Sequence, residues 1–209
     1  MPEKIIACYV ARHGETVLNA NGCFRGNANP ELNKAGIAEA HRLGHYFSNI
    51  DISCVFCSDR VRATNTAEII SQAINVPMHT SESLRALDVG DFSGQKRTPK
   101  TEADLQCYLD QPDCEIPGGE SLNDFKARIQ PCIRQAVHIF TECGVPPLIV
   151  GHSSIIHECG SMLHGDHKSI LVHPGGVIAI YFDGKGKLGA EPIYKAIGSK
   201  PGNRADTVS

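Results

Sequence analysis

Arg12 and His13 close an apolar, β-prone run, Ile5 to Val10, and are followed at once by Gly14-Glu15-Thr16. A guanidinium and an imidazole are thereby presented at the C-terminal mouth of a buried strand, where open α/β sheets bind their ligands. A guanidinium offers donors in a planar fork that matches the oxygens of an anion, and an unprotonated imidazole is a nucleophile. Gly14 reads as the residue that lets the chain turn sharply there, with Glu15 or Thr16 opening the next segment. The layout recurs at Pro147 to Val150, an apolar run that delivers Gly151-His152-Ser153-Ser154, whose Ser153 and Ser154 N–H groups face the same crevice. A third charge, Arg62, falls in the first turn of a helix read from Arg60 to Ile74 and capped by Ser58-Asp59. A helix N-terminus already favours an anion, so a cation placed there is unfavourable unless a counter-anion binds.

Taken singly, the Arg12-His13 pair reads equally well as a surface arginine and a satisfied histidine, a lone His152 reads more readily as structural, and Arg62 more readily as an anion contact. Together, Arg12, His13, Arg62 and His152 converge on one strand-end mouth. Two guanidiniums and one histidine fit a phosphoryl group, and the remaining histidine can attack it. Neighbouring positive charge disfavours protonation of that imidazole and keeps its lone pair available. Attack on phosphorus gives a phosphohistidine, which water then opens. Arg25-Gly26, in an Asn- and Gly-rich loop over 21–30, offers a further anion contact or a plain solvated loop arginine. No metal is implied, because arginine and histidine can supply the charge neutralisation that a divalent cation supplies elsewhere.

The elements that must position these groups alternate between strands and amphipathic helices. Asn33 caps a helix to about Phe47 with Ile37, Ala40, Leu43, Gly44 and Phe47 inward. Strands follow at Ile52 to Cys57 and Val76 to His79. A long loop over Ser81 to Lys100 leads to a short helix within 101–112, and the turn-rich Pro112 to Ser121 to a helix ending near Thr141, kinked at Pro131. A strand over 147–150, a helix over about 155–164 and a closing hairpin at 176–182 and about 190–195 complete the pattern. This predicts an α/β fold, a three-layer α/β/α sandwich on a mostly parallel sheet. One domain is expected over 1–198, followed by a mobile tail over 199–209.

Composition narrows the partners. A net charge of −3 carries no basic excess, which argues against nucleic acid. No run of 18 apolar residues exists, which argues against a membrane span. The N-terminus MPEKII lacks the apolar core of a secretory signal, so a cytoplasmic location is expected. The nine cysteines then read as reduced core residues. Cys54-Val-Phe-Cys57 has redox or zinc spacing, but it lies in a strand-like run with no second ligand pair, so neither metal nor cofactor is expected.

The segments RHGETVLN (12–19), SDRVRATNTAEII (58–70), PGGES (117–121) and VGHSS (150–154) resemble, in that order, the histidine phosphatase superfamily, the phosphoglycerate mutase-like family. The resemblance covers nearly the whole chain up to its polar tail, and RHGET is a highly specific motif. It implies that His13 is the phosphorylated nucleophile, that Arg12, Arg62 and His152 form the phosphate pocket, and that Asn19 assists near the nucleophile. Glu120 falls on a common loop motif of the family and reads as loop-positioning. A proton-donating glutamate is usual in a Leu-x-Glu-x-x-x-Gly pattern, but here the segment is Leu84-Arg85-Ala86-Leu87-Asp88-Val89-Gly90. Ala86 cannot donate a proton. In an extended segment Asp88 points to the same side as residue 86, so it is either the relocated donor or a loop carboxylate capping a turn; Glu82 is a weaker candidate. The expectation is a metal-independent phosphomonoesterase of the histidine acid phosphatase type, acting on a small phosphorylated molecule. The alternatives are phosphoglycerate mutase activity and a non-catalytic phosphate-binding or protein-interaction module.

Overall fold

The computed structural model describes residues 4–26, 28–164, 170 and 172–195, so the stretch read as a C-terminal tail lies outside the described residues. The strands are β1 (Ile5–Arg12), β2 (Val55–Ser58), β3 (Met78–Ser81), β4 (Leu148–Gly151), β5 (Val177–Phe182) and β6 (Leu188–Tyr194). They form one sheet in the order β3-β2-β4-β1-β5-β6. The first four in that order pair in parallel, while β5 and β6 run antiparallel, as expected for a mostly parallel sheet closed by a hairpin.

Side chains alternate across the central strands and sort the core into two halves. Tyr9, Ala11, Leu148, Val150, Val177 and Ala179 face one side with Leu43, Phe47, Ala67 and Ile70. These last four belong to the helices α2 (Lys34–Phe47) and α3 (Val61–Ile74). Cys8, Val10, Ile149, Ile178 and Ile180 face the other side with Phe125, Ile129, Ile133, Ile155 and Ile156. Those residues sit on α5 (Leu122–Cys143) and α6 (Ser153–His164). Two shorter helices, α1 (Val17–Ala20) and α4 (Pro99–Leu109), complete the set. The result is the three-layer sandwich that the sequence predicts.

Several local expectations are corrected. Ile37, placed in the buried stripe of α2, is 43% exposed; Gly36 and Glu39 are buried on that helix instead. Strands β2 and β3 lie later than expected because their parallel register pairs Val55 with Met78 and Ser58 with Ser81. Helix α4 begins at Pro99, whose missing N–H is harmless at a first helical position, and Thr98 and Thr101 form a capping box. Asp59 does not cap α3. Its carboxylate is taken by Arg85, and the Val61 N–H instead donates to Asn29 Oδ1 at 2.9 Å. Helix α6 starts at Ser153, earlier than expected, so His152 directly precedes its first turn. Gly14 has no left-handed backbone. A Cβ there would lie 2.4 Å from the Gly36 carbonyl oxygen, so a glycine is required by close packing of two chain segments rather than by a sharp turn.

Candidate active site

The sheet register brings the two histidines together. Arg12 pairs with Gly151 across β1 and β4, and the His13 N–H donates to the Gly151 carbonyl at 2.9 Å. Each histidine thus leaves the sheet just past that pair. Their ring centroids are 5.2 Å apart with planes inclined at 63°, and the residues are 1% and 2% exposed. His13 Nδ1 lies 2.7 Å from the Gly14 carbonyl oxygen. A carbonyl only accepts, so Nδ1 carries the proton and Nε2 carries the lone pair. Neither nitrogen of His152 has a partner among the described residues, although both are buried. A buried polar group left unpaired is unfavourable by about 1–3 kcal/mol, and here it has arginine cations beside it.

Burial, reinforced by His152, Arg62, Arg12 and Arg25, holds the His13 imidazole well below its ordinary range. Burial followed by Arg62, Arg25, Arg12 and Arg128 does the same to His152. Both rings are neutral at physiological pH, which is the state a nitrogen nucleophile needs.

Arg62 is fully buried. Its Nη1 donates to the Ala28 carbonyl at 2.8 Å and its Nη2 to the Gly26 carbonyl at 3.4 Å. Its Nε is buried without a partner among the described residues, and burial, with Arg25 and Arg60, pushes its pKa down to about 9. A guanidinium this dry, held among the described residues by neutral carbonyls, is strongly stabilised by an anion. Thr66, one turn along α3, donates its hydroxyl to the Arg62 carbonyl at 2.7 Å and accepts the Gly14 N–H at 3.1 Å. This one hydroxyl ties the arginine-bearing helix to the turn that carries His13.

Arg12 reaches across to the Val172 carbonyl at 2.6 Å. Arg25 approaches the Ser153 hydroxyl at 3.5 Å, which places both at the start of α6 beside His152. Gly26, at a φ of +42°, supplies its carbonyl to Arg62. Asn19 closes the capping box of α1, with its Oδ1 accepting the Thr16 N–H at 3.0 Å. Behind the turn that carries His13, buried Glu39 accepts the Glu15 N–H at 2.8 Å and packs where Gly175 has no side chain.

The segment carrying Ala86 is held at several points. Leu87 N–H donates to the Ser154 hydroxyl at 3.1 Å, and Arg85 pairs with Asp59. Arg128, on α5, donates Nη1 to the Ser83 and Arg85 carbonyls at 3.1 and 2.8 Å and Nη2 to that of Ala86 at 2.7 Å. Its Nε and Nη2 also grip the Glu120 carboxylate at 2.9 and 2.6 Å. Glu120 Oε1 accepts the Asp88 N–H at 2.8 Å, so the loop-positioning role read for Glu120 has a definite geometry. Asp88 Oδ1 accepts the Gly90 N–H at 3.1 Å, and Glu82 is exposed and pairs with Arg85 at 3.2 Å. Among the described residues, no group of three or more His, Cys, Asp or Glu side chains could hold a metal ion. In the Cys54/Cys57 pair, burial pushes the Cys57 thiol up to about 12, which makes it a poor ligand and a poor nucleophile.

Arg128, Thr66 and Glu39 were not read from the sequence as site residues. Thr66 had a signal, since it lies four residues after Arg62 on the same helix face. Arg128 looks like any solvated arginine on the polar side of α5, and Glu39 is an acid inside an apolar stripe with no motif around it.

The chain matches the histidine phosphatase superfamily (branch 1) over residues 8–187. It is 30% identical over 152 residues to the Salmonella choleraesuis protein named "Probable phosphoglycerate mutase GpmB", covering 71% of this chain and 70% of that one. Its fold is similar to that of a phosphoglycerate mutase from Bacillus anthracis, with a TM-score of 0.76 and 23% identity over 93% of this chain and 94% of the other. It is also similar to mycobacterial glucosyl-3-phosphoglycerate phosphatase in complex with VO3, with a TM-score of 0.74 and 20% identity over 90% and 98% of the two chains. A third similar structure is described as a putative alpha-ribazole-5'-P phosphatase from Escherichia coli, with a TM-score of 0.72 and 21% identity over 92% and 98%. The chain belongs to the histidine phosphatase superfamily, whose chemistry is phosphoryl transfer.

Proposed function

We propose that this protein is a metal-independent phosphomonoesterase that hydrolyses a small phosphorylated molecule through a phosphohistidine on His13, with Ala86 standing where the family usually has its acid glutamate. The observation that carries this is the neutral, edge-to-face histidine pair, in which the Gly14 carbonyl fixes the Nδ1 proton of His13 and leaves the lone pair on Nε2. Arg12 and Arg62 take the non-bridging phosphoryl oxygens, Arg25 and Ser153 flank them, and His152 completes the pocket. Asn19 acts indirectly, by shaping the start of α1 next to the nucleophile turn. Nine unpaired thiols suit a reducing, cytoplasmic setting. A similar protein named as a phosphoglycerate mutase favours a second reading, phosphoryl exchange between positions of a phosphoglycerate.

The test is phosphate release from p-nitrophenyl phosphate in EDTA by wild type and His13→Ala. Turnover lost only in the variant supports the proposal; wild type without turnover from acid to neutral pH refutes it. Isomerisation of a phosphoglycerate dependent on a bisphosphorylated primer would establish the second reading instead.

A further inference from the structure

The carboxylates around the site share one property: each is already used as an acceptor. Asp88 Oδ1 takes the Gly90 N–H at 3.1 Å, Glu120 is gripped by Arg128, and Asp59 and Glu82 both pair with Arg85. On the His13 side, Glu15 Oε1 accepts from Asn33 Nδ2 at 2.7 Å and Glu39 Oε2 accepts from the Glu15 N–H at 2.8 Å; burial pushes the Glu39 carboxyl up, but its side chain packs against Gly175 and its oxygen is committed to that N–H. Each of these oxygens is committed to a partner within the chain and would have to give that partner up to reach a leaving group. The backbone is pinned at Ala86 by Arg128 and at Asp88 itself by Glu120, which restrains the movement that would swing Asp88 inward. The charges that reach His13 and His152 are cationic, and both rings are held neutral, so neither is an imidazolium able to donate.

We infer that this site has no general acid among the described residues and therefore acts on phosphoryl donors whose leaving oxygen is weakly basic: phosphoric and acyl anhydrides and aryl phosphates, in preference to alkyl phosphates. This rests on the proposed His13 chemistry and adds the substrate class to it. In the first step the Nε2 lone pair forms an N–P bond while the P–O bond breaks, and its electron pair leaves on the departing oxygen with no proton delivered. In the second, water bonds to phosphorus, the N–P bond breaks and its pair returns to Nε2. Overall, RO–PO3²⁻ and H2O give RO⁻ and H2PO4⁻, and solvent sets the later protonation of both products. The conjugate acids of such leaving groups have pKa values of about 4 for a carboxylate and about 10 for a phenol. An alkanol resembles water, at roughly 16. Placed acid catalysis is worth about 10²- to 10⁴-fold, and that advantage is withheld from the alkyl esters.

The experiment measures kcat/KM for acetyl phosphate, pyrophosphate, a series of substituted phenyl phosphates and glycerol phosphate, with His13→Ala and Asp88→Asn beside wild type. The inference expects a steep fall with leaving-group basicity, glycerol phosphate at least about 10³-fold below the most reactive phenyl phosphate, and the same profile in Asp88→Asn. The anhydride and aryl arms then show which source of weakly basic leaving group is preferred. Glycerol phosphate within about tenfold of the aryl series, with turnover still lost in His13→Ala, overturns this inference and leaves the His13 chemistry standing. A steep profile in Asp88→Asn against a flat one in wild type makes Asp88 the acid and also overturns it. Absence of any His13-dependent turnover removes both.

Discussion

Replacing Arg128 by alanine tests whether the loop over 83–90 is held as a frame for the site. The guanidinium makes five donor contacts, two to the Glu120 carboxylate and three to the carbonyls of Ser83, Arg85 and Ala86. A fully buried charged hydrogen bond contributes about 1.5–3 kcal/mol, but the side chain is 25% exposed and its partner Glu120 18%. Water can therefore replace part of what is lost, and exposed ion pairs contribute little. Arg128→Ala should cost about 2–3 kcal/mol in all, which lowers Tm by roughly 5–10 °C for a chain of this size. Loosening of a site-framing segment by about 1 Å is enough for a 10²-fold loss of rate, so kcat/KM for an aryl phosphate should drop on the order of tenfold or more. Lysine at 128 keeps the charge but cannot serve two carboxylate oxygens and three carbonyls at once. Thermal melts and aryl phosphate kinetics on Arg128→Ala and Arg128→Lys give the answer. An alanine variant with unchanged Tm and unchanged kcat/KM would refute the clamp. Full rescue by lysine would reduce it to a charge effect on His152.

Other expected outcomes are as direct. Gly14→Ala puts a Cβ 2.4 Å from the Gly36 carbonyl oxygen, a backbone atom that cannot swing aside, so the variant should lose several kcal/mol and its activity; a stable, active Gly14→Ala contradicts the interlock. Thr66→Val leaves the Gly14 N–H without its acceptor and should cost about 1–3 kcal/mol, with kcat falling while Thr66→Ser retains most of it. The folded-state pKa values of His13 and His152 lie well below 6.5, so below pH 6.5 the unfolded chain takes up protons that the native state refuses. Stability should accordingly fall with pH from 6.5 down to the lowered native values, at about 1.4 kcal/mol per unit for each histidine. Chemical denaturation at pH 7.5 and 5.5 should show a smaller difference in His152→Asn than in wild type, and an equal one would contradict a neutral buried His152.

Legibility in the sequence followed how local each signal was. Strand ends marked by Arg12-His13 and Gly151-His152 were readable because an apolar run stops abruptly at polar residues, and the sheet then sets the two histidines side by side. Arg62 was readable from its conflict with the helix dipole, although its guanidinium meets carbonyls of the 26–28 loop. What failed depended on partners distant in the chain. Asp59 has the chemistry of a cap, yet Arg85 competes for it and Asn29 takes the capping position. Ile37 fits the helical period, yet Gly14 and Glu15 pack on Gly36, and Glu39 turns inward to the Glu15 N–H. Arg128 is invisible for the same reason, since the carbonyls it holds lie more than forty residues earlier.

The sheet order has a consequence for how the chain reaches this state. Strand β1 is made first but lies between β4 and β5, and neither exists until the chain has passed residue 147. Until then the apolar Ile5–Val10 segment has two open hydrogen-bonding edges and no native partner. Such a strand is slow to pair and can join a neighbouring chain in the meantime. During synthesis, β2 and β3 can dock with α3 while β1 waits. The His13 site is thus assembled late although it is encoded early, and onset of aryl phosphate turnover during refolding should coincide with closure of the central strands rather than with the first helical signal.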